Sequence, residues 1–146
     1  MRRLSALLAA FALAACHRAP EHVSVTHAWV RLAAVPGQPS AAYFAMEDVR
    51  TDMRLVKVES ALAQRAELHE SMKTMAGMGE MKPLASVDLP AGGKIAFAPG
   101  GRHVMLFGLD PLVKPGTAVP LRFGFSDGST TEAEAKTVAA GDDAPY

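Results

Sequence analysis

From about Val23 the chain breaks into short alternating segments divided by turn residues, and that rhythm limits the fold more than any single motif does. "VSVTHAWVRL", "SAAYFAMEDV", "MRLVKVES", "LASVDL", "GKIAFAPG", "RHVMLFGL", "AVPLRFGFSDG" and "TTEAEAKTV" read as strands. Between several of them lie "VPGQPS", "LPAGGK", "APGG" and "VKPGTAVP". Proline removes a backbone donor and fixes φ, while glycine allows the tight reversals that join strands. The best helical candidate, "SALAQRAELHE", is short and lacks a clear apolar stripe. Many short strands with Gly/Pro turns and no sustained 3.6-residue period indicate an all-β sandwich or barrel. With 146 residues, 49% of them hydrophobic, the chain suffices for one domain around one core.

The first residues stand apart from that rhythm. "MRRLSALLAAFALAAC" carries two arginines, a short apolar run and small residues ending at Cys16. This is the layout of a secretory signal, and the run is too short for a permanent membrane-spanning helix. Its end, Leu13–Cys16, resembles a bacterial lipobox, in which the cysteine becomes the lipid-bearing first residue. Cys16 is also the sole cysteine, so no disulfide can form within the chain. We therefore expect residues 1–15 to be a lipoprotein signal peptide, Cys16 to be lipidated, and residues 16–22 to tether the domain to a membrane. The domain would span residues 23–140, followed by a flexible tail, 141–146. Basic and acidic side chains number 15 each, so no basic surface invites a nucleic acid. Removing residues 1–15 leaves 13 basic against 15 acidic groups.

Four of the eight methionines fall at every third position of one segment, "HESMKTMAGMGEM": Met72, Met75, Met78 and Met81. Methionine usually fills gaps in a core, and Met46 and Met53, inside strand-like segments, need no other explanation. The four lie instead among Lys, Thr, Glu and Gly, with little else to pack against. Gly77 and Gly79 argue against a helix there, each costing about 1 kcal/mol relative to alanine. Thioether sulfur is a neutral, polarisable donor that suits Cu(I), and neutral imidazole completes such a site. Alternation along "RHVMLFGL" puts His103, Met105 and Phe107 on one face and Val104 and Leu106 on the other. In "AELHE", Leu68 points opposite to His69. If Leu68, Val104 and Leu106 face the core, His69, His103 and Met105 project outward or toward the sandwich end.

The stretch from His69 to Met105 resembles the copper chaperone family called PCu(A)C. That family's motif is a histidine, an optional methionine, ten residues, a methionine, twenty-one residues and then His-x-Met. Here His69 is followed by Glu70 at the optional position, by Ser71 to Glu80, and by Met81. Lys82 to Arg102 then lead to His103, Val104 and Met105. "LPAGG", "PGGRHVMLFGL" and "GTAVPLRFGFSDG" also look like this family, and the likeness runs from about Val23 to about Val138. It implies a cupredoxin-like Greek-key β-sandwich binding Cu(I) at an exposed site in the periplasm, lipid-anchored in this form. His69, Met81, His103 and Met105 inherit the ligand roles, and Met72, Met75 and Met78 become auxiliary sulfurs, with Met78 a competitor of Met81. The implied partners are a copper-accepting subunit carrying the dinuclear centre of cytochrome c oxidase and a thiol-bearing Sco-like protein. The His/Met-rich C-terminal extension of some relatives is missing here. His17, His22 and His27 lie in unrelated contexts and are read as bystanders.

Other functions fit less well. A blue-copper electron carrier needs a cysteine thiolate within the domain, and Cys16 lies outside it. No Gly-x-Ser-x-Gly, His-Glu-x-x-His or Cys–His constellation supports an enzyme. A copper-buffering lipoprotein would use the same ligands to sequester the metal, and stands as the alternative to delivery.

Overall fold

The computed structural model describes residues 23–73 and 79–146, with Lys73 described by its backbone alone. The signal segment 1–15, Cys16 and the tether 16–22, with His17 and His22, lie outside the described residues, as do Met75 and Met78. Ten strands follow one another: β1 (Ser24–Arg31), β2 (Ser40–Glu47), β3 (Met53–Glu59), β4 (Ala63–Lys73), β5 (Gly79–Pro83), β6 (Val87–Leu89), β7 (Ile95–Phe97), β8 (Arg102–Leu109), β9 (Ala118–Phe125) and β10 (Thr130–Val138). The helical candidate at 60–70 falls largely within β4, where Ala66 and Leu68 turn inward at the period of two that a strand requires.

The strands pair in the order β5-β4-β8-β2-β1-β10-β9-β3-β6, and β7 continues the β8 side of β2. Every pairing is antiparallel except β1 with β10. The long sheet folds over itself, so that β2, β4 and β8 cover β3 and β9. Phe44 of β2 meets Phe123 of β9 edge-on at 4.8 Å, and stacks on Phe97 of β7 at 4.3 Å. Val119, Leu121, Phe123 and Phe125 alternate inward along β9, while Leu68, Val104 and Leu106 come from the opposite side. Burial of this apolar set is the main force holding the two layers together.

Two interruptions of strict alternation keep the pattern in phase. The register of β3 shifts between Leu55 and Lys57, which leaves Val56 exposed and returns Val58 to the core. In β1 a bulge lies between Thr26 and Trp29, with His27 at φ +53°. An extra residue in a strand swaps its faces beyond that point. Val25 and Ala28 therefore both turn toward the core, and Trp29 turns to the outer face. Central strand β2 is buried on both sides, with Tyr43 and Ala45 buried as well as Phe44. The outer face of this layer thus carries packing of its own, and the candidate site lies there. Past β10, the Tyr146 ring lies edge-on against His27 at 5.1 Å and beneath the Lys136 ammonium at 4.4 Å.

Candidate metal centre

His69 and His103 stand directly opposite each other in the β4–β8 ladder. The Ser71 amide donates to the Gly101 carbonyl at 3.0 Å, so opposed residues two steps along, the histidines among them, exchange backbone hydrogen bonds. Leu68, Val104 and Leu106 point into the core, which leaves both imidazoles on the other face, as alternation predicts. They are nevertheless buried, at 8% and 5% exposure. The outward projection expected from alternation is correct in face and wrong in accessibility. The rings lie 6.0 Å apart between centroids with planes 21° from parallel. The two rings are thus side-by-side neighbours on one face of the sheet.

Each imidazole has Nδ1 turned to the backbone carbonyl two residues before it. In His103 the contact to Gly101 is 3.0 Å, and in His69 the contact to Glu67 is 3.4 Å. A carbonyl can only accept, so Nδ1 carries the hydrogen and Nε2 keeps its lone pair for a metal. This shared geometry follows from a histidine placed on a strand beside its own i−2 carbonyl.

Sulfur approaches from two sides. Met105 follows His103 by two residues on the same face, opposite Glu67, and is partly buried. In the β4–β5 ladder His69 faces Pro83 and Ser71 faces Met81. Met81 therefore shares the histidines' face, one row toward the hairpin end, and is 59% exposed. Met72 pairs with Glu80 and falls on the opposite face, also exposed. The structure thus brings His69, His103, Met105 and Met81 onto one face and sets Met72 apart. His27 contacts Tyr146 instead. Among the described residues no three histidine, cysteine or carboxylate groups converge as a metal cluster. Met105 and Met81 are the thioethers that share this face with the two imidazoles, and imidazole with thioether is a donor combination that suits a soft monovalent ion.

Three residues at this face were not singled out from the sequence. Glu67 holds one carboxylate oxygen 2.7 Å from Arg65 Nε and the other 3.9 Å from His69 Nε2. Its position two residues before His69 was the available signal. Tyr43 and Trp29 extend the ring row across the sheet, at 6.4 Å from His103 to Tyr43 and 4.5 Å from Tyr43 to Trp29. Burial pushes the Tyr43 hydroxyl pKa up, partly opposed by the Arg31 guanidinium, which itself lies over Trp29 at 5.0 Å. The row flanks His103 on the side away from His69.

Known proteins share the family and the fold. The family described as "Putative lipoprotein LpqE-like" matches residues 23–137. A "putative lipoprotein" of Leifsonia xyli subsp. xyli is 32% identical over 110 residues, which is 75% of this chain and 65% of that protein's length. The DR1885 protein of Deinococcus radiodurans superposes in its apo form with TM-score 0.62 and 25% identity, over 97% of this chain and 99% of that one. Its Cu(I) form superposes with TM-score 0.57 and 27% identity, over 85% and 82% respectively. The copper-bound PCuAC domain of PmoF2 gives TM-score 0.66 at 21% identity, over 80% of this chain and 92% of that domain. The all-β, cupredoxin-like expectation holds.

Proposed function

This chain belongs to the LpqE-like family of putative lipoproteins, and we propose that it is a copper(I) carrier held on the outer side of the cytoplasmic boundary by a lipid on Cys16. The observation that carries the reading is the shared face of His69, His103, Met105 and Met81. Two imidazoles that can each offer Nε2 and two thioethers form a neutral, soft donor set. It favours Cu(I) and competes poorly for zinc, magnesium or calcium. That the similar DR1885 protein was solved with Cu(I) supports the assignment.

The two halves of the set have different tasks. The buried histidines fix where the ion sits, because their rings are held by backbone carbonyls and by the neighbouring ladder. The Glu67 carboxylate beside His69 offsets the positive charge that a neutral donor set leaves on the ion. Exposed Met81 gives an incoming ligand access to the copper, and thioether bonds exchange without moving a proton. We assign the direction of transfer to the copper-accepting subunit of cytochrome c oxidase, with a Sco-like thiol protein as a further exchange partner.

The test is a competition titration of the apo protein under reducing conditions, followed by mixing with an apo copper-oxidase domain. One Cu(I) bound tightly, silver(I) substituting and zinc binding weakly are expected, with the ion passing to the acceptor. Equal affinity for zinc and Cu(I) would contradict the mixed His/Met site. Tight binding without transfer would leave a copper buffer. Separately, Cys16→Ser is expected to free the protein from membranes with copper binding intact, and persistent membrane association would refute the lipid anchor.

A further inference from the structure

We propose that the open edge of β5 is the docking strip for the copper acceptor, which adds an extended segment beside Met81 and presents a soft donor at alternate positions. The proposal rests on the copper(I)-carrier reading and concerns how the cargo leaves. β5 is the outermost strand of the sheet on this side, and all five of its residues are exposed.

The direction of its backbone groups follows from the ladder. The Leu84 amide donates to the Leu68 carbonyl at 2.8 Å, which marks 68 and 84 as a hydrogen-bonded pair. The register then runs unbroken from His69↔Pro83 to Lys73↔Gly79. In an antiparallel ladder such pairs alternate, so Glu70↔Lys82 and Met72↔Glu80 are bonded and the pairs between them are not. Ser71 agrees, since its amide points the other way, to Gly101. The amides of Gly79 and Met81 and the carbonyls of Gly79, Met81 and Pro83 therefore face away from β4. Among the described residues no strand pairs with them.

Met81 thus combines two properties. Its side chain lies on the copper face, and its backbone lies on the free edge. A strand added there would place one residue directly opposite Met81, about 5.5 Å away between Cα atoms. That residue and those two positions either side would share the copper face. A methionine or histidine at such a position meets the ion beside the Met81 sulfur. The exchange forms one partner–copper bond as the Met81–copper bond breaks, and copper stays monovalent, so no electron or proton is needed. Strand addition supplies affinity through main-chain bonds and leaves alternate side chains to provide specificity. Lys82 and Pro83 are residues that commonly guard an edge against indiscriminate pairing. Pro83, lacking an amide, ends the strip, so that only a short and readily released segment fits.

The probe is a seven-residue peptide alternating threonine with histidine and methionine, added to isotope-labelled full-length protein in apo and Cu(I) forms. We expect the Gly79 and Met81 amides to shift and to gain protection from hydrogen exchange, in the apo form as well. Gly79→Pro and Gly79→sarcosine each remove one outward donor without touching a β4 bond, and among the described residues a Cβ at this glycine would meet nothing within 4 Å. Both should keep Cu(I) affinity and weaken peptide docking about fivefold, the worth of one hydrogen bond, with transfer slowed to match. Should Gly79→Pro disturb copper affinity, the sarcosine variant, which keeps every side chain, decides. Unshifted edge amides, or wild-type transfer from a variant of unaltered copper affinity, would overturn the proposal. So would protection already present without peptide, whether it rises with protein concentration or vanishes when residues 17–22 are removed, because a second copy or the tether would then own the edge. Failure to bind Cu(I) at all would sink the carrier reading, while docking to the apo form still decides the edge.

Discussion

The two histidines and the methionine proposed as ligands, His69, His103 and Met81, sit on one face of one sheet, yet in opposite surroundings. His69 and His103 lie in an interior ladder, 8% and 5% exposed, with Tyr43 and Trp29 extending their row. Met81 lies one strand further out, 59% exposed on an edge. A side chain in an interior ladder is ordered before any ligand arrives, so binding costs it little entropy. One on an exposed edge must be ordered by the ion itself. The comparison teaches that affinity and exchange can be assigned to different strands of the same site. Met105, partly buried on β8, belongs with the interior half.

The sharpest way to break this division is to remove a histidine. His103→Ala or His69→Ala should lower Cu(I) affinity by on the order of a hundredfold, about 2.7 kcal/mol, measured by competition with a chromogenic chelator. A methionine variant that costs more than either would reverse the assignment.

Methionine-to-leucine changes test the outer half, since they keep bulk and remove only the sulfur. Met81→Leu should weaken binding about tenfold, whereas Met72→Leu, on the opposite face, should leave affinity unchanged within error. Equal losses at the two positions would mean that the hairpin twists enough to bring both sulfurs to the ion.

Acidification separates nitrogen from sulfur without mutation. A proton competes with the metal for Nε2, and thioethers do not titrate, so affinity should fall between about pH 7.5 and 5 and level off above zero. The remaining affinity should depend on Met81. A pH-independent affinity would exclude both imidazoles.

The smallest expected effect concerns the row beside His103. Burial raises the Tyr43 pKa in the folded protein above the ordinary tyrosine value of about 10. Below that value the hydroxyl is neutral in both states and the full stability is present. As pH rises past it, the unfolded chain ionises first and stability drains away until the folded pKa is passed. Chemical denaturation followed from pH 9 to 11 should show this loss, smaller than any effect above, and Tyr43→Phe should abolish the Tyr43 contribution to it.

Much of this was legible in the sequence where a local rule applied. Period-two alternation assigns His103 and Met105 to one face and Val104 and Leu106 to the core, and motif spacing selects His69 and Met81. The separation of Met81 from Met72 was not legible. It depends on the register of β5 against β4, which no local pattern encodes. The burial of the histidines was hidden for a related reason: Tyr43 reaches His103 from a strand far away in sequence, with Trp29 against its other side. The bulge at His27 was equally silent, since its residue is not a glycine and its φ is +53°. Without that bulge Trp29 would face the core.

Copper-edge X-ray absorption on the Cu(I)-loaded protein tests the central claim most directly. The account predicts imidazole nitrogen and thioether sulfur together in the first shell, two of each. It further predicts that Met81→Leu removes one sulfur while both imidazole signatures persist, and that Met72→Leu changes nothing. A sulfur-only shell, or a sulfur count untouched by Met81→Leu, would contradict it.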